Sequence, residues 1–131
     1  MNKTTLGLLS LCFLYFSCIT VNCCGPDEPY EPLLGTWYRE SKNGVQYDDC
    51  LKKDELVFTK DGRIRFTLHE KTPNGCIQKE IKNGKWRKKA TNTYGLTYGS
   101  QPEKIEKISF DDGFILIFDA TREVFLQKNT Y

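Results

Sequence analysis

From residue 33 onward, apolar and polar residues alternate with a period of two. In "ELVFTKDGRIRFTLHE", Leu56 and Phe58 share one face. Beyond Asp61-Gly62, Ile64, Phe66 and Leu68 alternate with Arg63, Arg65, Thr67 and His69. This is the pattern of a β-hairpin, and Asp-Gly is a favoured turn pair. The same alternation puts His69 on the polar, solvent-facing side. "PNG" at 73–75 and "KNG" at 82–84 predict two further turns. Tyr94, Leu96 and Tyr98 then share a face, and Asp111, Asp112 and Gly113 make another turn. Phe114, Leu116 and Phe118 alternate with Ile115 and Ile117, so that strand is apolar on both sides. No stretch of this region keeps its apolar residues at helical spacing. The prediction is an all-β domain, a small antiparallel up-and-down barrel of about eight strands. Closure removes the exposed edges of a chain so rich in strand.

The N-terminus breaks this pattern. Lys3 is followed by an uncharged run from Thr4 to Val21, with an apolar core from Leu6 to Phe16. That is the length and composition of a signal-peptide core. The run is also long enough to act as an anchor helix, but no basic cluster follows it to stop transfer. Next comes "CCGPDEPYEP", three prolines and three acids, which reads as a stiff, solvated linker. The expected organisation is a signal segment at 1–23, a tether at 24–32 and a barrel domain at 33–131. "FSC" places a small residue before Cys18, as bacterial lipoprotein signals do. Cys18 is therefore the expected lipidation site, with Cys24 as the alternative. A thioether-linked diacylglycerol with an amide-linked acyl chain on that cysteine anchors stably, because each buried methylene contributes about 0.8 kcal/mol. Export to the cell envelope is expected, as an outer-membrane lipoprotein or in the periplasm, with a soluble secreted form as the alternative.

Formal net charge is +2, with a single histidine. Removing the signal segment takes away one lysine and no acid, leaving a nearly neutral domain. That excludes the basic excess a nucleic-acid binder needs. Cys50 and Cys76 are the cysteines of the folded part, and in an exporting compartment they are expected to pair. Two distant cysteines and one histidine do not make a metal site. Asp48-Asp49 and Asp111-Asp112 lack the spacing of a calcium loop and read as turns.

"EPLLGTWYRE" opens the domain with Gly35 two residues before Trp37. This Gly-x-Trp resembles the lipocalin signature. The resemblance implies that Gly35 bends the chain into the barrel and that Trp37 closes its base. It also implies a basic residue from the last strand region over the tryptophan, with Arg122 as the candidate and Lys128 behind it. The order "LLGTWY", "DDCLKKDELVFTKDGRIRF", "GC", "NGKWRKKATNTYGLTYG", "GFILIF" and "FLQK" is similar to the lipocalin-like domain of exported Bacteroidetes lipoproteins. It implies a calycin-like barrel without later lipocalin motifs or a C-terminal helix. Such a small barrel can be filled by its own side chains.

The aromatic residues carry the functional expectation. Tyr38, Phe66, Trp86, Tyr94, Tyr98 and Phe118 are the candidates for lining a pocket with apolar walls and a few hydroxyls. Tyr38 and Tyr47 suit a rim. The alternation puts nearly every charge outside the barrel. "KWRKK" at 85–89 reads as a solvated strand or turn. No nucleophile elbow, P-loop or convergent nucleophile–base set is visible, so no catalytic residue, cofactor or metal is expected. The expected function is non-catalytic binding of a small hydrophobic or amphipathic molecule by a monomer. The alternative is a filled barrel serving as a protein-interaction or structural module of the envelope. An interior void of at least about 300 Å³ favours the first, and a solid interior the second.

Overall fold

The computed structural model describes residues 30–128. The signal segment, Cys18, Cys24 and most of the tether lie outside the described residues.

The strands are β1 (Gly35–Lys42), β2 (Val45–Gln46), β3 (Glu55–Phe58), β4 (Arg63–Thr72) and β5 (Gly75–Ala90). They continue as β6 (Thr93–Tyr98), β7 (Lys104–Asp111), β8 (Ile115–Phe118) and β9 (Glu123–Gln127). A 3-10 turn, Leu51–Lys53, precedes β3. β1 pairs with β3, each later strand pairs antiparallel with the next, and β9 returns to β1. This closes an eight-stranded antiparallel barrel, with the two-residue β2 attached outside it to the end of β1.

The period-two pattern explains the interior. Leu56 and Phe58, Ile64, Tyr94 and Leu96, Ile108, Leu116 and Phe125 are all buried there, with Trp37 and Leu33. Turns fall at Asp61-Gly62, before Gly75, and around Asp112-Gly113, as the sequence predicts. Gly35 has φ +129°, a conformation that favours glycine, and it starts β1.

"KNG" at 82–84 is not a turn. β5 runs through it without a break, with Lys82 opposite Phe66 and Gly84 opposite Ile64 and Tyr98. The glycine serves close packing instead. A Cβ on Gly84 would lie 2.0 Å from the Thr97 carbonyl oxygen, so β6 can approach only a glycine. His69 also departs from the simple alternation. The β4–β5 register shifts between Leu68 and His69, and the His69 side chain, 18% exposed, turns to Asp54.

One end of the barrel is shut. Trp37 is fully buried there and its indole N–H donates to the Leu33 carbonyl at 2.9 Å. Glu31 crosses the same end, accepting from the Tyr94 hydroxyl at 2.6 Å and meeting Lys88 Nζ at 3.4 Å. Arg122 does not cover the tryptophan. It sits exposed in the β8–β9 turn with φ 51°, a connection at the opposite end of the barrel. Lys128 lies over the Tyr38 ring at 5.5 Å, on the outer wall. The residue in register with Trp37 on β9 is Gln127. The basic residue beside Glu31 at the closed end is Lys88, so the tie runs through the segment before β1 rather than through a cation from the last strand.

Cys50 and Cys76 form a disulfide with Cα atoms 5.5 Å apart. It fastens the segment before β3 to the start of β5.

Candidate functional site

The other end of the barrel holds a cavity of about 240 Å³. Its wall is the upper half of the inward-facing set: Leu56, Phe66, Leu96, Tyr98, Phe118 and Phe125. The rings pack edge to face. Phe66 and Phe118 lie 6.1 and 5.6 Å from Phe125. Gln101, Pro102 and Thr121, from the β6–β7 and β8–β9 connections, form the rim. A broader depression on the outer wall, lined by Tyr38, Lys52 and Leu126, lies open to solvent.

Of the six aromatic candidates, Phe66, Tyr98 and Phe118 line this cavity. Tyr94 and Trp86 instead pack the closed half. Their rings meet at 6.2 Å, Trp86 packs against Phe58 at the same distance, and its N–H donates to the Thr59 carbonyl. Tyr38 points to the outer wall and donates to Glu55 at 3.2 Å. Tyr47 does not line the cavity; its hydroxyl donates at 3.2 Å to Glu123 Oε1, and Glu123 does line it.

Charge does not stay outside. Glu106 and Glu123 line the cavity, as do the stems of Lys82 and Lys104. Behind Glu123 lies a compact ionic cluster. Asp54, with no exposure, accepts from Arg39 Nη1 at 2.6 Å and from the His69 backbone N–H at 2.6 Å. His69 Nδ1 lies 3.1 Å from the same carboxylate, so that nitrogen carries the hydrogen. Arg39 Nε lies 2.8 Å from Glu123 Oε1, although its N–H makes no directed hydrogen bond. The guanidinium is sandwiched between the rings of Tyr47 and Phe66, at 4.9 and 5.0 Å, as cation–π contacts require.

These charges perturb the tyrosines. Burial raises the Tyr98 phenol well above its usual range, and the neighbouring Glu106 carboxylate adds to the shift. Burial likewise raises Tyr47, with Glu123 reinforcing and Arg39 opposing. At the closed end, burial raises Tyr94, helped by its hydrogen bond to Glu31. On the outer wall, Arg87 and Lys89 of the "KWRKK" run clasp Glu103 at 2.6 and 2.9 Å. Their hydrogen bonds hold its carboxyl down at about 2.

Arg39, Glu106 and Glu123 were legible in principle. Each lies two residues from a buried neighbour on the same strand, Trp37, Ile108 and Phe125. Parity puts them inside, and only the rule that charges face water argues against it.

Residues 33–114 match the family model described as the lipocalin-like domain. The chain belongs to that family, whose barrel is typically non-catalytic. No curated protein and no solved structure matches the chain.

Proposed function

We propose that this protein is a non-catalytic binder of a small amphipathic molecule, held in the mouth of the barrel. The observation that carries this reading is the cavity of about 240 Å³ walled by Phe66, Phe118 and Phe125. It falls short of the void of about 300 Å³ expected of a carrier for drug-sized ligands, yet the interior is not solid, so the binding reading narrows to a smaller ligand. The ligand is therefore short, and a long-chain lipid does not fit. Burial of its carbon against the rings drives binding, at about 0.8 kcal/mol per methylene. The charged groups at the mouth set its orientation. The signal-like segment supports export to the cell envelope, with an anchor through a lipid on Cys18 or, alternatively, Cys24. A secreted form is the alternative.

Native mass spectrometry of the protein extracted from its own envelope tests both parts. A small molecule should co-purify with the wild type and disappear in Thr121→Trp, which plugs the rim without touching the core. If the wild type carries nothing, the filled-barrel interaction module is the better reading. The N-terminal peptide of the same sample identifies the lipid and its cysteine.

A further inference from the structure

We propose that the mouth takes a small organic cation, an alkylammonium whose charged head sits at Glu106 and whose tail lies against the aromatic wall. This rests on the binding reading above and names the chemistry of its ligand.

Two buried carboxylates, Asp54 and Glu106, and the half-buried Glu123 lie in this half of the barrel, and their partners differ. Asp54 is met by Arg39 and by two nitrogens of His69. Glu123 is met by Arg39 and Tyr47. Glu106 is different. Its side chain is 8% exposed, yet the cation beside it is Lys104, at 3.0 Å, whose side chain is 75% exposed. A buried carboxylate needs close partners, and an exposed lysine is a weak one because water competes for it. Glu106 also lines the cavity, so a ligand there reaches its carboxylate.

The surroundings favour the same sign of charge. Lys82 and Lys104 also line the cavity, but both are exposed, so water weakens their charge there. Arg39 is already balanced by Asp54 and Glu123. An ammonium offers three donors on one small head, whereas a carboxylate head would face Glu106 with like charge. The volume of about 240 Å³ limits the tail. At about 30 Å³ per water it equals some eight waters, room for a ligand on the order of ten non-hydrogen atoms.

A matched series separates head from tail. The protein, purified from cells expressing the full chain, is titrated at neutral pH with hexylamine, hexanol and hexanoate. Binding is followed by side-chain NMR shifts of Tyr98 and Phe118. Hexylamine, protonated under these conditions, should bind at least about tenfold more tightly than hexanol, the scale of one charge-assisted hydrogen bond. Hexanoate should bind most weakly. Glu106→Gln should bring the amine close to the alcohol, weakening the amine by much more than the alcohol. Lys104→Ala removes the competing cation from an exposed position, so it should tighten the amine selectively. That variant also carries the test should Glu106→Gln fail to fold. Hexanol or hexanoate binding as well as the amine to the wild type overturns the cation assignment and leaves the binding reading standing. So does an amine preference that survives Glu106→Gln or is unaffected by Lys104→Ala. If none of the three moves the Tyr98 and Phe118 signals, both readings fall.

Discussion

Arg39 Nη1 lies 2.6 Å from Asp54 Oδ2, and the aspartate is fully closed off from solvent while the arginine side chain is 16% exposed. The two strands are also joined by backbone, the Arg39 N–H donating to the Asp54 carbonyl at 3.1 Å. The pair therefore welds β1 to the start of β3, directly behind the cavity wall. Each charge is sheltered and depends on the other. Asp54→Ala should destabilise the fold by roughly 3–5 kcal/mol, because it strands the guanidinium and the His69 N–H together. Asp54→Asn keeps an acceptor and should cost less. Replacing both residues by apolar ones, Arg39→Met with Asp54→Leu, should recover much of the loss. Urea unfolding of the four proteins checks this. A cost below about 1 kcal/mol for Asp54→Ala would show the pair to be energetically idle.

Trp37 is an architectural residue. It is fully buried, its ring centroid lies 6.2 Å from that of Phe110, and its N–H holds the Leu33 carbonyl. Trp37→Ala should cost roughly 3–5 kcal/mol through lost packing and the cavity left behind. Trp37→Phe should cost less, keeping a ring but losing a hydrogen bond that contributes about 1 kcal/mol. Neither should alter the preference among ligands at the far end, because Trp37 does not line the cavity. Thermal melts and ligand titration on the same samples separate the two effects.

Much of this fold is readable from the chain. Leu56, Phe58, Ile64 and Phe66 announce their face by parity, and Cys50 and Cys76 announce their partner by being the cysteines of the folded part. What escapes is set through space. His69 reads as a surface residue because nothing local marks the register shift that turns it to Asp54. Arg122 reads as a closing cation because the position of the β8–β9 turn depends on how the barrel shuts. The site divides in the same way. Phe66, Tyr98 and Phe118 follow from alternation, whereas Trp86 and Tyr94 share their parity and differ only in height along the barrel. Glu123 becomes a neighbour of Arg39 only when β9 returns to β1.

Gly84 gives a direct test of the close approach between β5 and β6. An added Cβ would meet the Thr97 carbonyl oxygen at 2.0 Å and the Tyr98 Cα at 3.0 Å, both backbone atoms that cannot swing aside. Gly84→Ala should therefore destabilise by at least the 1–3 kcal/mol typical of overpacking, at about the upper end. It should also disturb the cavity, since Tyr98 is one of its lining residues. Gly44→Ala is the contrast. It sits in the short β1–β2 turn with φ +78° and open space around it, so its cost comes from backbone strain alone. Unfolding midpoints together with the Tyr98 NMR signal distinguish the two.

Alkaline pH should loosen the barrel from both ends. Burial raises the Tyr94 and Tyr98 phenols far above their ordinary value of 10.0, helped by Glu31 and Glu106 respectively. The fold therefore holds the protonated form more tightly than the unfolded chain does. The stability this gives is fully present below pH about 10. As pH rises beyond that, the unfolded chain ionises while the folded one resists, and stability falls until the folded-state values are passed. Phenolate absorbance followed along a pH titration, together with near-UV circular dichroism, checks this. Tyr94 and Tyr98 should ionise only as the barrel opens, with absorbance and near-UV circular dichroism changing together. Glu31→Gln should bring the Tyr94 transition down without shifting that of Tyr98, because Glu31 bonds Tyr94 at the closed end. Ionisation of Tyr94 and Tyr98 while the near-UV circular dichroism stays native would overturn this.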